Sequence, residues 1–394
     1  MRGGSKGFAC FALAVVLAGC GGGSGLAGRE LRDVEETRLA PDSGAYTARV
    51  ALPFEFSAED GADRIDIALG EETVAMSCYV YAEEADLGAT SLRLVQGGRA
   101  YFDKEHGEFA LKQLSGIRVG QVEGSPYHAL EWTYSDPEKG SAQIKAATAN
   151  KQGHGIACLD LNLGFRETFT RVFEGLVASF AAATPPRRPY FEEITVSTIG
   201  GLEVGVTWLR LTLDEDGDTR GEGVTSLLIP TGADDMLVSY KTRVEWARPD
   251  GSLINASVSD VDLEAESTRL DLRQEDGIWQ VRGHFKGKEL NTPLKGGPWI
   301  DTLLTEYRRV RRELIPHGDQ RVVRLAQWVP SADPTGVLQA TFEVTPDEPL
   351  RYTMTAGPIV STGNRSAEGF VDSSVVDLGA NPLHTKVLYR SGDL

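Results

Sequence analysis

Residues 165–189 read FRETFTRVFEGLVASFAAATPPRRP. Phe165, Phe169, Val172, Phe173, Leu176, Val177 and Phe180 fall at i, i+4, i+7, i+8, i+11, i+12 and i+15. That spacing gathers seven apolar side chains on one face of a helix. Arg166, Glu167, Arg171 and Glu174 take the opposite face. Such a helix buries its stripe against a sheet. Immediately after it, Pro185, Pro186 and Pro189 cannot continue a helix and favour an extended spacer. The stretch therefore closes one folded unit and opens another.

Upstream of it, short runs alternate between apolar and polar residues. Val50 to Phe56 and Glu72 to Tyr81 read as strands, the second with Val74, Met76, Cys78 and Val80 on one face. Glu83 to Val95 reads as a helix. Ile117 to Val122, Tyr127 to Tyr134, Ser141 to Thr148 and Gly155 to Leu161 follow as strands, separated by turn residues such as Gly124-Ser125-Pro126. Downstream, strand patterns recur from Phe191 to Thr198 through Val337 to Val344, with a last one at Thr385 to Tyr389. One helix interrupts them, Trp299 to Leu314, with Trp299, Leu303, Tyr307, Val310 and Leu314 on one side.

The chain has 394 residues, enough for two domains, and its 41% hydrophobic and 25% charged residues are those of a globular protein. A net charge of -17 argues against nucleic acid as a partner, because counterion release needs clustered positive charge. Arg2 and Lys6 precede an apolar run from Phe8 to Leu17, too short to span a bilayer and of the length of a secretory signal. The run ends Leu17-Ala18-Gly19-Cys20. This is similar to the lipobox of bacterial lipoproteins. The resemblance implies cleavage before Cys20, acylation of its thiol, and, with Gly21 following, an outer-membrane anchor facing the periplasm or the cell surface. Two or three acyl chains hold a protein stably at a membrane. Residues 1–19 are then the signal peptide and residues 20–45 a lipidated, flexible tether reaching roughly 25–30 Å from the membrane. An α+β domain takes residues 46–181, a proline-rich linker 182–189 and a β-rich domain 190–394.

Of the four cysteines, Cys10 leaves with the signal and Cys20 carries lipid. Cys78 and Cys158 remain as an even pair in an oxidising compartment, where one disulfide is the simplest outcome and two buried thiols the alternative.

The layout of the first unit, an antiparallel meander closed by the Phe-rich helix ending at Ala178-Ser179-Phe180, resembles the PsbP-like fold, including the DcrB-type bacterial lipoproteins. That family lends no site residue. The second unit is similar in layout to the half-barrel of the LolA and LppX type, which holds lipid in an apolar cavity. The fold class expected is therefore α+β: a sheet with a packed helix, followed by a larger curved antiparallel sheet with one helix.

Few constellations carry chemistry. Asp214, Asp216 and Asp218 match the first positions of a calcium loop, but Thr219 and Thr225 stand where glycine and glutamate are needed, and a solvated hairpin turn accounts for the cluster. Arg308, Arg309, Arg311 and Arg312 form a basic stripe able to grip an anionic partner, or else to pair with Glu306 and Glu313. The six histidines show no metal-binding spacing, and no nucleophile elbow or phosphate loop occurs. Five of the six tryptophans lie in the second unit, where they either pack a core or line a groove. The expectation is an outer-membrane lipoprotein without catalysis or cofactor that binds or scaffolds an envelope partner. A carrier of lipid or another hydrophobic ligand is the alternative, and a hydrolase with a dispersed site the second.

Overall fold

The computed structural model describes residues from Glu30 onward, apart from short stretches at 60, 70–75, 85, 107–110, 137–139, 233–235, 298, 315–321, 346 and 378–380. The expected signal, the lipobox and Cys20 lie outside the described residues. Two compact units divide the chain. One comprises residues up to Ile117, Tyr127–Pro186 and Pro230–Met236; the other comprises Arg118–Pro126, Arg187–Ile229 and Leu237–Leu394.

The first contains β1 (Glu36–Leu39), β2 (Tyr46–Ala51), β3 (Phe54–Glu59), β4 (Ala62–Ile67), β5 (Met76–Glu84), α1 (Leu87–His106), all but residues 118–126 of β6 (Leu111–Val122) and β7 (Ser125–Asp136), β8 (Gly140–Lys151), β9 (His154–Asp160), α2 (Arg166–Ser179) and β10 (Ala181–Ala182). Seven strands pair in the order β3-β4-β5-β9-β8-β7-β6, and β1-β2-β10 form a separate small sheet. The strand expected from Val50 to Phe56 is divided at Leu52-Pro53, where proline offers no N–H to a ladder. Helix α2 buries Phe169, Val172, Phe173, Leu176 and Val177, the stripe read from the sequence. Its N-terminus has no local side-chain cap. Instead Glu30 accepts from the backbone N–H of Glu167 at 3.0 Å and of Thr168 at 2.7 Å, a carboxylate at the positive end of the helix. The described part of the expected tether is thus docked, through Glu30 and then through β1 paired on β2. Cys78 and Cys158 face each other on β5 and β9 and form a disulfide with Cα atoms 4.0 Å apart.

The second unit contains β11 (Phe191–Ile199), β12 (Leu202–Leu213), β13 (Thr219–Pro230), β14 (Met236–Ala247), β15 (Leu253–Asp262), β16 (Ala265–Glu275), β17 (Ile278–Phe285), β18 (Lys288–Pro293), α3 (Leu303–Glu313), β19 (Val322–Gln327), β20 (Leu338–Thr345), β21 (Glu348–Ala356), β22 (Ile359–Arg365), β23 (Val371–Val376) and β24 (Leu383–Gly392). All fourteen strands join one sheet, ordered β18 back to β11, then β24 back to β19. The last strand, β24, therefore pairs with the first, β11.

This sheet curls around α3. At one end of the helix Leu304 packs with Phe191, Leu209, Leu211 and Ala247 from β11, β12 and β14. At the other, Val310 and Leu314 pack with Val323, Phe342, Val344 and Tyr352 from β19 to β21. One short helix touches strands so far apart in the sheet order only if the sheet wraps it. Lys295, just past β18, also bonds the connection between β19 and β20: its N–H donates to the carbonyl of Thr335 at 2.8 Å, and its carbonyl accepts from the N–H of Val337 at 3.1 Å.

The expected α+β class is corrected. Among the described residues strands take 61% and helices 12%, so the protein is mostly β. Residues 346–384 had no strand assigned by periodicity, yet they supply β21, β22 and β23. The curved sheet of the second unit is fourteen strands long and wraps its helix. That helix begins at Leu303 and not at Trp299, because Thr302 caps it by accepting from Thr305 N–H at 3.1 Å. Trp299 is left outside it and half exposed.

Candidate ligand-binding site

Helix α3 is pinned at both ends. At its start, Leu303 N–H donates to Glu245 Oε2 at 2.7 Å, and the hydroxyls of Thr302 and Thr305 donate to the carbonyl of Gly251 at 3.2 and 2.9 Å. Glu245 is almost fully buried, so its charge sits against the positive end of the helix in a poorly solvated site. Near its end, the buried guanidinium of Arg365 donates to the carbonyl of Val310 at 3.1 Å, satisfying a last-turn acceptor. Held this way, Glu306, Tyr307, Val310 and Arg311 share one side of the helix and face a cavity of about 260 Å³.

Strand alternation builds the opposite wall. Tyr352 and Met354 on β21, Thr385 and Val387 on β24, and Glu193 and Thr195 on β11 are i, i+2 pairs pointing to the same face. Phe342, Ser361, Ser373 and Ser374 complete it, with Gly369 and Phe370 from the turn before β23.

The cavity's cations are neutralised by partners of their own. Arg390 donates to Glu193 Oε2 at 2.6 Å, to Asp372 Oδ1 at 3.0 Å and to the carbonyl of Val371 at 2.6 Å. Arg311 pairs with Asp393 and lies 4.3 Å from the ring centre of Phe370, and Arg390 lies 4.5 Å from the same ring. Glu193 also accepts from Tyr307 Oη at 2.9 Å. Burial pushes the Glu193 carboxyl upward against the pull of Arg390. Burial, together with the charge of Glu193, pushes the Tyr307 phenol well above its ordinary value. Burial also raises Tyr352 to about 12, opposed by hydrogen bonds with Ser374 and Ser361.

Glu306 differs from these. It is half-buried and borders the cavity, and among the described residues its carboxylate accepts one hydrogen bond, from Gln327 Nε2 at 2.6 Å. Burial raises its pKa above the usual carboxylate range; Arg243 opposes this, and the negative charges of Glu245 and Asp301 reinforce it. Arg243 is itself committed to Glu245.

The arginine stripe is absorbed into the fold. Arg308 donates to the carbonyl of Pro249 at 3.2 Å, and Arg309 reaches Glu313 at 2.9 Å and Asp301 at 3.3 Å. Arg312 donates to the carbonyl of Leu394 at 2.7 Å. Glu306, expected as a surface partner for these arginines, turns inward instead. The Asp214–Asp218 cluster is a hairpin turn in which Asp214 Oδ1 accepts from the N–H groups of Asp216 and Asp218, each at 2.9 Å. Among the described residues no group of three or more His, Cys, Asp or Glu is arranged to hold a metal ion. None of their helices is long and apolar enough to cross a membrane. No tryptophan lines the cavity. Trp279 and Trp328 pack instead with Leu253, Leu272, Val281 and Ile300.

In the first unit Ser91 Oγ lies 3.1 Å from His128 Nδ1 and 2.8 Å from Thr148 Oγ1. All three side chains are fully buried, between α1 and the strands carrying His128 and Thr148, so this is a polar packing network.

Sequence reasoning missed most of the cavity. The residues of β21 to β23 went unassigned, although Tyr352, Met354 and Ala356 alternate and Gly357-Pro358 marks a turn. That alternation was the available signal.

No family model matches the sequence, and no curated protein matches it. Among solved structures the chain is similar to a β-barrel-like protein of a domain of unknown function, DUF1849, from Brucella abortus. Identity there is 12%, over 52% of this chain and 98% of that one, with a TM-score of 0.37. It is also similar to cyanobacterial PsbP (CyanoP) from Synechocystis sp. PCC 6803, at 13% identity over 42% of this chain and 98% of that one, with a TM-score of 0.27.

Proposed function

We propose that this chain is a lipid-anchored envelope protein that binds a small ligand in its second unit and does not transform it. The observation that carries the binding role is the cavity between α3 and the strands that wrap it, where carboxyl, hydroxyl and aromatic groups face one partly open space. Its volume of about 260 Å³ lies just under the roughly 300–1,000 Å³ of ordinary small-molecule pockets. The helix occupies the space that a carried diacyl lipid would need, which favours a compact ligand. Ser361, Ser373 and Ser374 are the serines lining the cavity, and among the described residues none is hydrogen-bonded to a carboxylate or a histidine. That is the environment of a binding site and lacks the activated nucleophile of a hydrolase. The anchor rests on Leu17-Ala18-Gly19-Cys20.

Labelling cells with an alkyne analogue of palmitate tests the anchor. The wild-type chain should carry the label in the outer-membrane fraction, and Cys20→Ser should abolish it. Native mass spectrometry of the gently purified chain tests the ligand. A bound species of small-molecule size is expected. Diacyl lipid in its place would restore the carrier reading.

A further inference from the structure

We propose that the cavity beside α3 is a site for a small organic cation, an alkylammonium or quaternary ammonium group, with Glu306 as its counter-ion and Phe342, Tyr352 and Met354 as its walls. The inference rests on the binding role proposed above and specifies the ligand's chemistry. Four ionisable side chains of ordinary charge border the cavity: Glu193, Glu306, Asp372 and Arg311. Glu193 and Asp372 share the one guanidinium of Arg390, and Arg311 is paired with Asp393. Glu306 alone among them has no ion pair among the described residues; it is satisfied only by the amide of Gln327. The charge left facing the space is therefore negative. A carboxylate in a poorly solvated site gains strongly from a cation within reach, because the attraction is little screened there.

The walls fit the same ligand. The rings of Phe342 and Tyr352 have centres 6.0 Å apart, inclined at 30°, and Met354 adds a polarisable sulfur beside them. Aromatic faces attract alkylated ammonium groups, which are too weakly hydrated to hold their water. Phe370 takes no part, since the guanidiniums of Arg311 and Arg390 already lie against it. A cavity of about 260 Å³ is at the small end for ligand pockets, so the ligand is compact. The net charge of -17 also raises the local concentration of cations around the whole chain.

Calorimetric titration of the full chain tests this, with three probes of nearly equal size: choline, its uncharged isostere with carbon in place of the quaternary nitrogen, and the anion pivalate. Choline should bind at least about tenfold tighter than the uncharged isostere, and pivalate should not bind. Glu306→Gln keeps the shape and the hydrogen bond with Gln327. It should weaken choline at least about tenfold and leave the uncharged isostere within about twofold. Phe342→Leu should weaken choline more than the isostere. Choline affinity should also rise with pH as Glu306 ionises. The groups facing Glu306 are Gln327, Arg243, Glu245, Asp301, Tyr307 and Tyr352. Equal or tighter binding of the isostere or pivalate would overturn the cation assignment while leaving the cavity a ligand site. Failure of all three probes to bind would remove both readings. Unchanged choline affinity in Glu306→Gln would overturn the role of Glu306.

Discussion

Tyr307 donates its phenolic proton to Glu193 across 2.9 Å, joining the middle of α3 to β11, the first strand of the second unit in sequence. Arg390, on the last strand of the chain, holds the other oxygen of the same carboxylate at 2.6 Å. One buried carboxylate therefore fastens the helix and both chain ends of the second unit to a common point. The wrapped sheet keeps its helix by polar bonds as well as by the apolar clusters around Leu304 and Val310.

Tyr307→Phe should destabilise the second unit by roughly 1.5–3 kcal/mol, the range for a hydrogen bond to a charged acceptor. The ring packing on Phe191, with centres 5.5 Å apart, would survive. Denaturant unfolding followed by tryptophan fluorescence reads this, since most tryptophans lie in that unit. No shift in midpoint would show that the hydroxyl is dispensable.

Glu306 makes stability depend on pH in a predictable direction. Its folded pKa lies above its unfolded one, because burial penalises the charge more than Arg243 and Gln327 relieve it. The folded state therefore holds the proton more tightly. Its stabilising contribution is complete below the unfolded value and disappears as pH rises through the folded one. Glu306→Gln should match the wild type in acid and exceed it in stability at neutral pH. Thermal unfolding of the two proteins across pH would expose a difference that fails to grow with pH.

The disulfide spans 80 positions of the first unit. On the chain-entropy account, replacing Cys78 and Cys158 together by alanine should cost about 2–4.5 kcal/mol. Urea unfolding of the double variant, beside the wild type with and without reductant, measures this. Identical curves would show that the bond contributes nothing.

Lys145 and Asp160 form an ion pair at 3.0 Å with both side chains almost fully buried. Lys145 Nζ also donates to the carbonyls of Asn162 and Gly164, and Asp160 accepts from Asn162, so the pair shapes the turn that feeds α2. Lys145→Met alone should cost roughly 3–5 kcal/mol, because it strands a buried carboxylate. Adding Asp160→Asn should recover part of that loss. Strictly additive losses in the double-mutant cycle would mean that the two charges do not depend on each other.

Much of this architecture was legible in the linear order of residues, for local reasons. The apolar stripe from Phe169 to Val177 fixed which face of α2 is buried, since helical geometry turns spacing directly into a face. The prolines after Thr184 bar α2's helical run from continuing through them, since they remove N–H donors and lock the backbone. An even pair of cysteines, left over once the start of the chain is read as resembling a secretion signal, was enough to suggest the bond between β5 and β9. Partners remote in sequence were not legible. Periodicity tells a strand which side is inside but not which strand lies next to it. Only the folded sheet brought residue 193 beside 390, turned Glu306 inward while its neighbours Arg308 and Arg309 stayed outside, and made Tyr352 and Met354 the wall of a cavity. Those outcomes depend on many distant contacts forming together, and the position of each buried charge is set by the neighbours that the folded chain supplies.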